Sequence, residues 1–303
     1  MKRLIVILVF LFGISVVLLF AQKNLAAGHC APPPPEIKST PALPPLLMNG
    51  IGNSVLKITT TSPEAQAHFN QGLSLFHCFW WNEALASFRE TARLDSACTM
   101  AHWGIYQTLA NPWYFNDGEI AKERAAALQK AKALSGNASE RERHYILAAD
   151  RRESLGGEAY IQEMEKLIIQ YPDEVEAKLV LALFLFQDNF SHGYDANGRP
   201  TPNRQKCQSL LRELLKTHPD HAAVHHYWIH AMEGSREPEA ALESAKKVGI
   251  LAPASGHIVH MAGHIYFKGS WLRRTAAVSS AGFGKFGSSL SSDARMETGA
   301  RRV

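Results

Sequence analysis

Residues 62–96, SPEAQAHFNQGLSLFHCFWWNEALASFRETARLDS, decide the fold. Ala65, Phe69, Gly72, Leu73 and Phe76 recur at spacings of three and four, the period of one helix face, behind a Thr61-Ser-Pro-Glu64 start that reads as a capping box with proline in the first turn. A helix over 63–79 is predicted. Asn82 opens a second helix, in which Ala84, Leu85, Phe88, Ala92 and Leu94 keep the same period until Asp95-Ser96 breaks it. The unit is a helix, a short turn and a helix.

The design repeats outward from that stretch. Residues 97–109 and 119–134 make another pair, and 140–152 with 159–171 a third. Tyr171-Pro172-Asp173, His218-Pro219-Asp220 and Leu251-Ala252-Pro253 each end a second helix and open a first. Pro219 to Pro253 is 34 residues, while Pro172 to Pro219 is 47, the excess fitting the Gly- and Pro-bearing loop 189–202. Asp188, His192 and Asp195 in that region lack the DxDxDG spacing of a calcium loop.

A helix-turn-helix period of 34 marks the tetratricopeptide repeat, and the chain resembles that family at Gly72, Ala84, Phe88 and Ser96. These stand where the family places its small residue, alanine, aromatic and final proline, only the last being replaced. Trp103-Gly104, Ala240-Ala241-Leu242, Ala245 and Pro253 echo the pattern less completely. The resemblance covers about residues 62–271 and implies an all-α, right-handed solenoid of antiparallel helix pairs, whose first helices line a concave face that binds other proteins. The stretches 69–105, 225–235 (HHYWIHAMEGS) and 253–266 (PASGHIVHMAGHIY) also look like a group of exported bacterial tetratricopeptide proteins, which implies a compartment and no particular reaction.

The flanks read differently. Lys2 and Arg3 precede an uncharged apolar run from Leu4 to Ala21, with Ala26, Ala27 and Gly28 as cleavage points, so 1–28 is expected to be a signal peptide or an uncleaved anchor. The protein is then periplasmic or secreted, and it meets a membrane only through residues 4–21. His29 before Cys30 departs from a lipidation motif. Residues 29–61 carry repeated prolines and read as a stiff extended linker, placing the start of the folded domain near Ser62. Residues 272–303, rich in Ser, Gly, Ala and Arg, have no apolar period and read as a disordered basic tail or the remnant of a longer repeat array. With four cysteines, at 30, 78, 98 and 207, no disulfide scaffold is expected; Cys78 and Cys98 are the pair to consider.

Of the formal charge of +4, three cations lie at the front and a net +4 in residues 272–303, leaving 24–271 at −3. That balance argues against nucleic acid, which needs clustered Lys and Arg on the folded part.

Histidine is in excess: eight of 14 fall between His218 and His264. His226 and His230 share one helix face, with Glu233 one turn on, and adding 34 to each gives His260 and His264. His257, one turn before His260, is a further candidate ligand, and His225 a spare one. Two i, i+4 imidazole pairs on adjacent first helices suit a transition metal (zinc, copper or iron), with Glu233 as ligand, outer-sphere acceptor or base. The same histidines also fit two other readings, a structural ladder donating to backbone carbonyls and direct contact with an acidic or polar ligand. His230 is followed by Ala-Met-Glu, so no HExxH is present, and there is no CxxCH for haem. No catalytic residue is assigned. Trp80 and Trp81, in the turn after the first helix, and Trp113 and Tyr114, after Pro112, are candidates for contact with a protein or peptide partner. The expected function is an exported scaffold acting through its concave face, with metal binding by the histidine cluster as the alternative.

Overall fold

Apolar periodicity decides which helices sit inside. The computed structural model describes residues 44–111, 118–187, 193–195 and 197–268 of the 303, and among these it is all-helical, with helices packed in consecutive pairs. They are α1 (Pro63–His77) with α2 (Trp81–Leu94), α3 (Thr99–Leu109) with α4 (Gly118–Ala133), and α5 (Glu140–Leu155) with α6 (Gly157–Gln170). Next come α7 (Val175–Gln187) with α8 (Pro202–Thr217) and α9 (Ala222–Met232) with α10 (Leu242–Leu251). A last helix, α11, covers 256–268. First helices α3, α7 and α9 are buried on nearly every side, as helices apolar all round must be. Second helices such as α2, α6 and α8 bury one stripe only. Neighbouring first helices pack on one another, α1 on α3, α3 on α5 and α7 on α9.

Phe88 shows why the first two pairs stack. Its ring lies between Gly72 of α1 and Gly104 of α3, so close that a Cβ on either glycine would fall 2.6 or 2.5 Å from ring carbons. The ring cannot retreat from one helix without striking the other. Ala84, fully buried on the same helix as Phe88, completes the close approach.

The start of α1 differs in detail from the expected capping box. Ser62, one residue later, is the N-cap, and its side chain accepts from the Ala65 N–H at 3.1 Å. A full capping box occurs instead at Ser139 and Glu142, at the head of α5. Cys78, Cys98 and Cys207 are all buried and free, so the Cys78–Cys98 pairing does not form. Burial pushes the Cys78 and Cys98 thiols up to about 11.

Of the expected proline-rich linker the structure describes residues 44–61, and these are packed on the helices rather than forming a free spacer. Between residues 54 and 59 burial alternates, with Ser54, Leu56 and Ile58 inward and Val55, Lys57 and Thr59 outward, the two-residue period of a strand. In place of a partner strand, side-chain amides satisfy its backbone. Gln66 accepts from Ile58 N and donates to Leu56 O, and Gln71 accepts from Met48 N and donates to Leu46 O. Asn53 bonds both the Asp220 carbonyl and the Ala222 N–H at the head of α9, and Gly50 O accepts from Ala254 N before α11. The strap therefore joins the first pair to the last two first helices. Residues 1–43, including the expected leader, and the tail beyond 268 lie outside the described residues. No helix among the described residues is long and apolar enough to cross a membrane.

The packing of Phe88 makes a signed prediction. Gly104→Ala should lower stability by about 1–3 kcal/mol through overpacking, although alanine is the better helix former. Gly249→Ala on α10, where a Cβ meets nothing within 4 Å, should raise stability by roughly 0.5–1 kcal/mol. Urea denaturation of the two variants checks both; equal shifts would remove the clamp from the explanation.

Candidate metal centre

α9 brings His226 and His230 to one face, and Glu233 caps its C-terminal end. α11 brings His257 against them. One ligand-capable nitrogen from each of His226, His230 and His257 lies within 4.8 Å of the other two. His257, rather than the His260–His264 pair one repeat on, is the third member. Repeat arithmetic gives the interval between equivalent positions but not the register of one helix against the next, which side-chain packing sets.

Hydrogen bonds settle the tautomers. His226 Nδ1 is 2.7 Å from the His77 carbonyl, which only accepts, so Nδ1 carries the proton. His230 Nδ1 is 3.1 Å from Glu233 Oε1. Burial would raise the Glu233 carboxyl, but hydrogen bonds from His230 and His264 hold it well below the usual carboxylate range, so it accepts. His226, and His230 as a neutral ring, therefore turn an unprotonated Nε2 inward, and these two atoms are 3.1 Å apart. His257 Nε2 is buried and has no hydrogen-bond partner among the described residues. One nitrogen from each of the three imidazoles thus shares one small space. Burial first, then the neighbouring imidazoles, holds His226 well below the ordinary histidine range and His257 down to about 3.

Phe79 roofs the group. Its ring centroid is 4.7 Å from that of His226, 5.3 Å from His230 and 5.0 Å from His257. Trp80 N donates to Leu75 O and Phe79 N to Phe76 O, the paired bonds that end a helix on a left-handed residue. Glycine is the usual occupant, yet here Phe79 takes φ 61°, a conformation costing roughly 1–2 kcal/mol for an L side chain. Its ring contacts with three imidazoles offset that strain.

Behind the roof lies a second buried network. His77 Nε2 is 2.7 Å from Glu176 Oε2 on α7, and His77 Nδ1 is 2.6 Å from the Tyr227 hydroxyl on α9. Burial raises the Tyr227 phenol well above its ordinary value, so it keeps its proton and donates, while His77 Nε2–H donates to Glu176. Burial would raise Glu176 too, but its electrostatic interaction and hydrogen bond with His77, with His221 nearby, bring it down to about 2. His221 Nε2 is 3.8 Å away, beyond hydrogen-bond length.

The remaining predicted residues divide. His225 faces away, its Nε2 donating to Pro219 O at 2.7 Å and its Nδ1 accepting from Ser244 at 2.8 Å, and so fits the structural reading. His260 and His264 form their own pair, and His264 is joined to the centre through Glu233. Trp81 is buried at 4% exposure, stacked on Phe79 at 4.8 Å, and Trp80 is half-buried. Trp113, Tyr114 and the 188–192 part of the loop lie outside the described residues. Phe79 and His77 are the site members that repeat reasoning missed.

In chelator-treated protein these shifts make stability fall in acid. His226 and His257 stay neutral in the fold, whereas unfolded histidine protonates near 6.5; the unfolded chain then binds more protons. Their contribution is complete above about pH 6.5 and is lost as pH falls toward about 3, while that of Glu176 is lost between 4.5 and about 2. From pH 7 to 5 His257 alone accounts for on the order of 1–2 kcal/mol. A urea midpoint that stays flat over that range would contradict it. No protein-family model matches the chain, and no curated protein matches it either.

Proposed function

We propose that this chain is a tetratricopeptide-type solenoid that holds a transition-metal ion between the first helices of its last two repeats. The repeat reading is supported by the consecutive helix pairs and by Phe88 set between two glycines at equivalent places in α1 and α3. One observation carries the metal reading: the His226 and His230 Nε2 atoms face each other at 3.1 Å with both Nδ1 protons committed elsewhere. Two lone pairs at that distance repel unless a cation lies between them. On His226 a proton would create an imidazolium where burial already disfavours one. A metal resolves the conflict, since two ligands at about 2.0–2.1 Å from one ion stand about 2.9–3.3 Å apart for angles from square to tetrahedral.

In this reading His226, His230 and His257 are the ligands and Glu233 is the outer carboxylate that orients His230 and supplies countercharge. An all-imidazole set suits zinc, copper or iron and not the hard cations that need oxygen. A second reading, an exported scaffold for a partner segment, is favoured by the strap. Gln66, Asn70 and Gln71 hold an extended backbone through side-chain amides, a mode that works for almost any sequence. Here the chain's own residues occupy that place, so a partner would use another part of the face or displace them.

After chelation and reloading with zinc, the full chain should retain a stoichiometric ion through gel filtration. His257→Ala should weaken binding by more than the roughly 10–100-fold that loss of an outer partner costs, while His225→Ala should retain the ion. Metal analysis that finds no zinc on the wild-type chain would end this reading.

A further inference from the structure

His260 and His264 stand four residues apart on α11, with their Nε2 atoms 3.0 Å from each other. His260 is exposed and His264 partly so, whereas the buried group comprises His226, His230 and His257. Glu233 links the two sets. Its Oε1 is 3.1 Å from His230 Nδ1 and its Oε2 is 2.9 Å from His264 Nδ1. As an ionised carboxylate it accepts from both, so each ring keeps a lone pair on Nε2. On His230 that lone pair faces His226; on His264 it faces His260. One carboxylate fixes the tautomer in two imidazole pairs.

We infer that α11 carries a second metal site, formed by His260 and His264, distinct from the buried centre and coupled to it through Glu233. Its nitrogens already have the roughly 2.9–3.3 Å separation of neighbouring ligands on one ion. Its exposure leaves the other coordination positions to water, so it takes a divalent ion that accepts imidazole and keeps solvent ligands, such as nickel(II), copper(II) or zinc. Without metal the pair is joined by an Nε2–H of His260 donated to His264; binding shifts His260 to its Nδ1–H tautomer, so that both rings stay neutral, and replaces the N–H···N bond with two N–metal bonds. The site has two ligands where the buried centre has three, and its affinity is correspondingly lower. The coupling rests on the buried three-imidazole reading, whereas the second site itself does not.

Equilibrium dialysis of the full, untagged chain against nickel(II) tests this directly. Two equivalents are expected, a tight one and a weaker one. His260→Ala, an exposed change that leaves the core intact, should remove only the weaker equivalent, and His257→Ala should remove only the tight one. Glu233→Gln converts one acceptor to a donor and should weaken at least one step by roughly 10–100-fold; two unchanged constants would remove the coupling. A single wild-type equivalent indifferent to His260→Ala would overturn the second site and leave the buried centre standing. One equivalent weakened by both alanine variants would mean a single shared site and also overturn it, as would a second equivalent that survives His260→Ala. No uptake at all would remove both sites.

Discussion

The end of α1 is the point on which the rest of the structure depends. Within three residues, the His77 ring bonds Glu176 on α7 and Tyr227 on α9, the His77 carbonyl accepts from His226, Cys78 donates to the strap at Ile51 O, and Phe79 covers the imidazoles of α9 and α11. The first helix pair thereby reaches α7, α9 and α11 directly. A linear array in which each repeat touches only its neighbours has no such contact.

That contact ties stability to the histidine chemistry. Burying the Glu176 carboxylate is costly in itself, and its hydrogen bond to His77 offsets only part of that desolvation, but losing either partner strands the other in the core. What the network supplies is geometry. It fixes where the His77 carbonyl sits, and the carbonyl fixes the tautomer of His226. Glu233 does the same for His230 from the opposite side. Two acceptors, one on α1 and one at the end of α9, thus aim two Nε2 lone pairs into one space.

The helical pairs and the i, i+4 histidines were legible because both are local: a period of three to four residues needs no knowledge of the partner helix. The proline boundaries at 172, 219 and 253 were legible for the same reason. The convergence of His257 instead of His260 was not, since helix register comes from packing. Nor was Phe79, whose left-handed backbone follows a Schellman ending that normally shows itself as glycine. The strap carried a faint signal, the alternation of Ser54, Val55, Leu56, Lys57 and Ile58, overshadowed by the prolines before it. His77 looked like one more residue of an aromatic turn; its partners Glu176 and Tyr227 are 99 and 150 residues away.

The central claim is that His226, His230 and His257 together bind one metal ion. X-ray absorption at the zinc edge, on chain loaded with a single equivalent, tests it most directly. The geometry predicts three imidazole nitrogens at about 2.0–2.1 Å, with the outer-ring scattering of histidine. A first shell of oxygen alone, or one containing sulfur at about 2.3 Å, would contradict it.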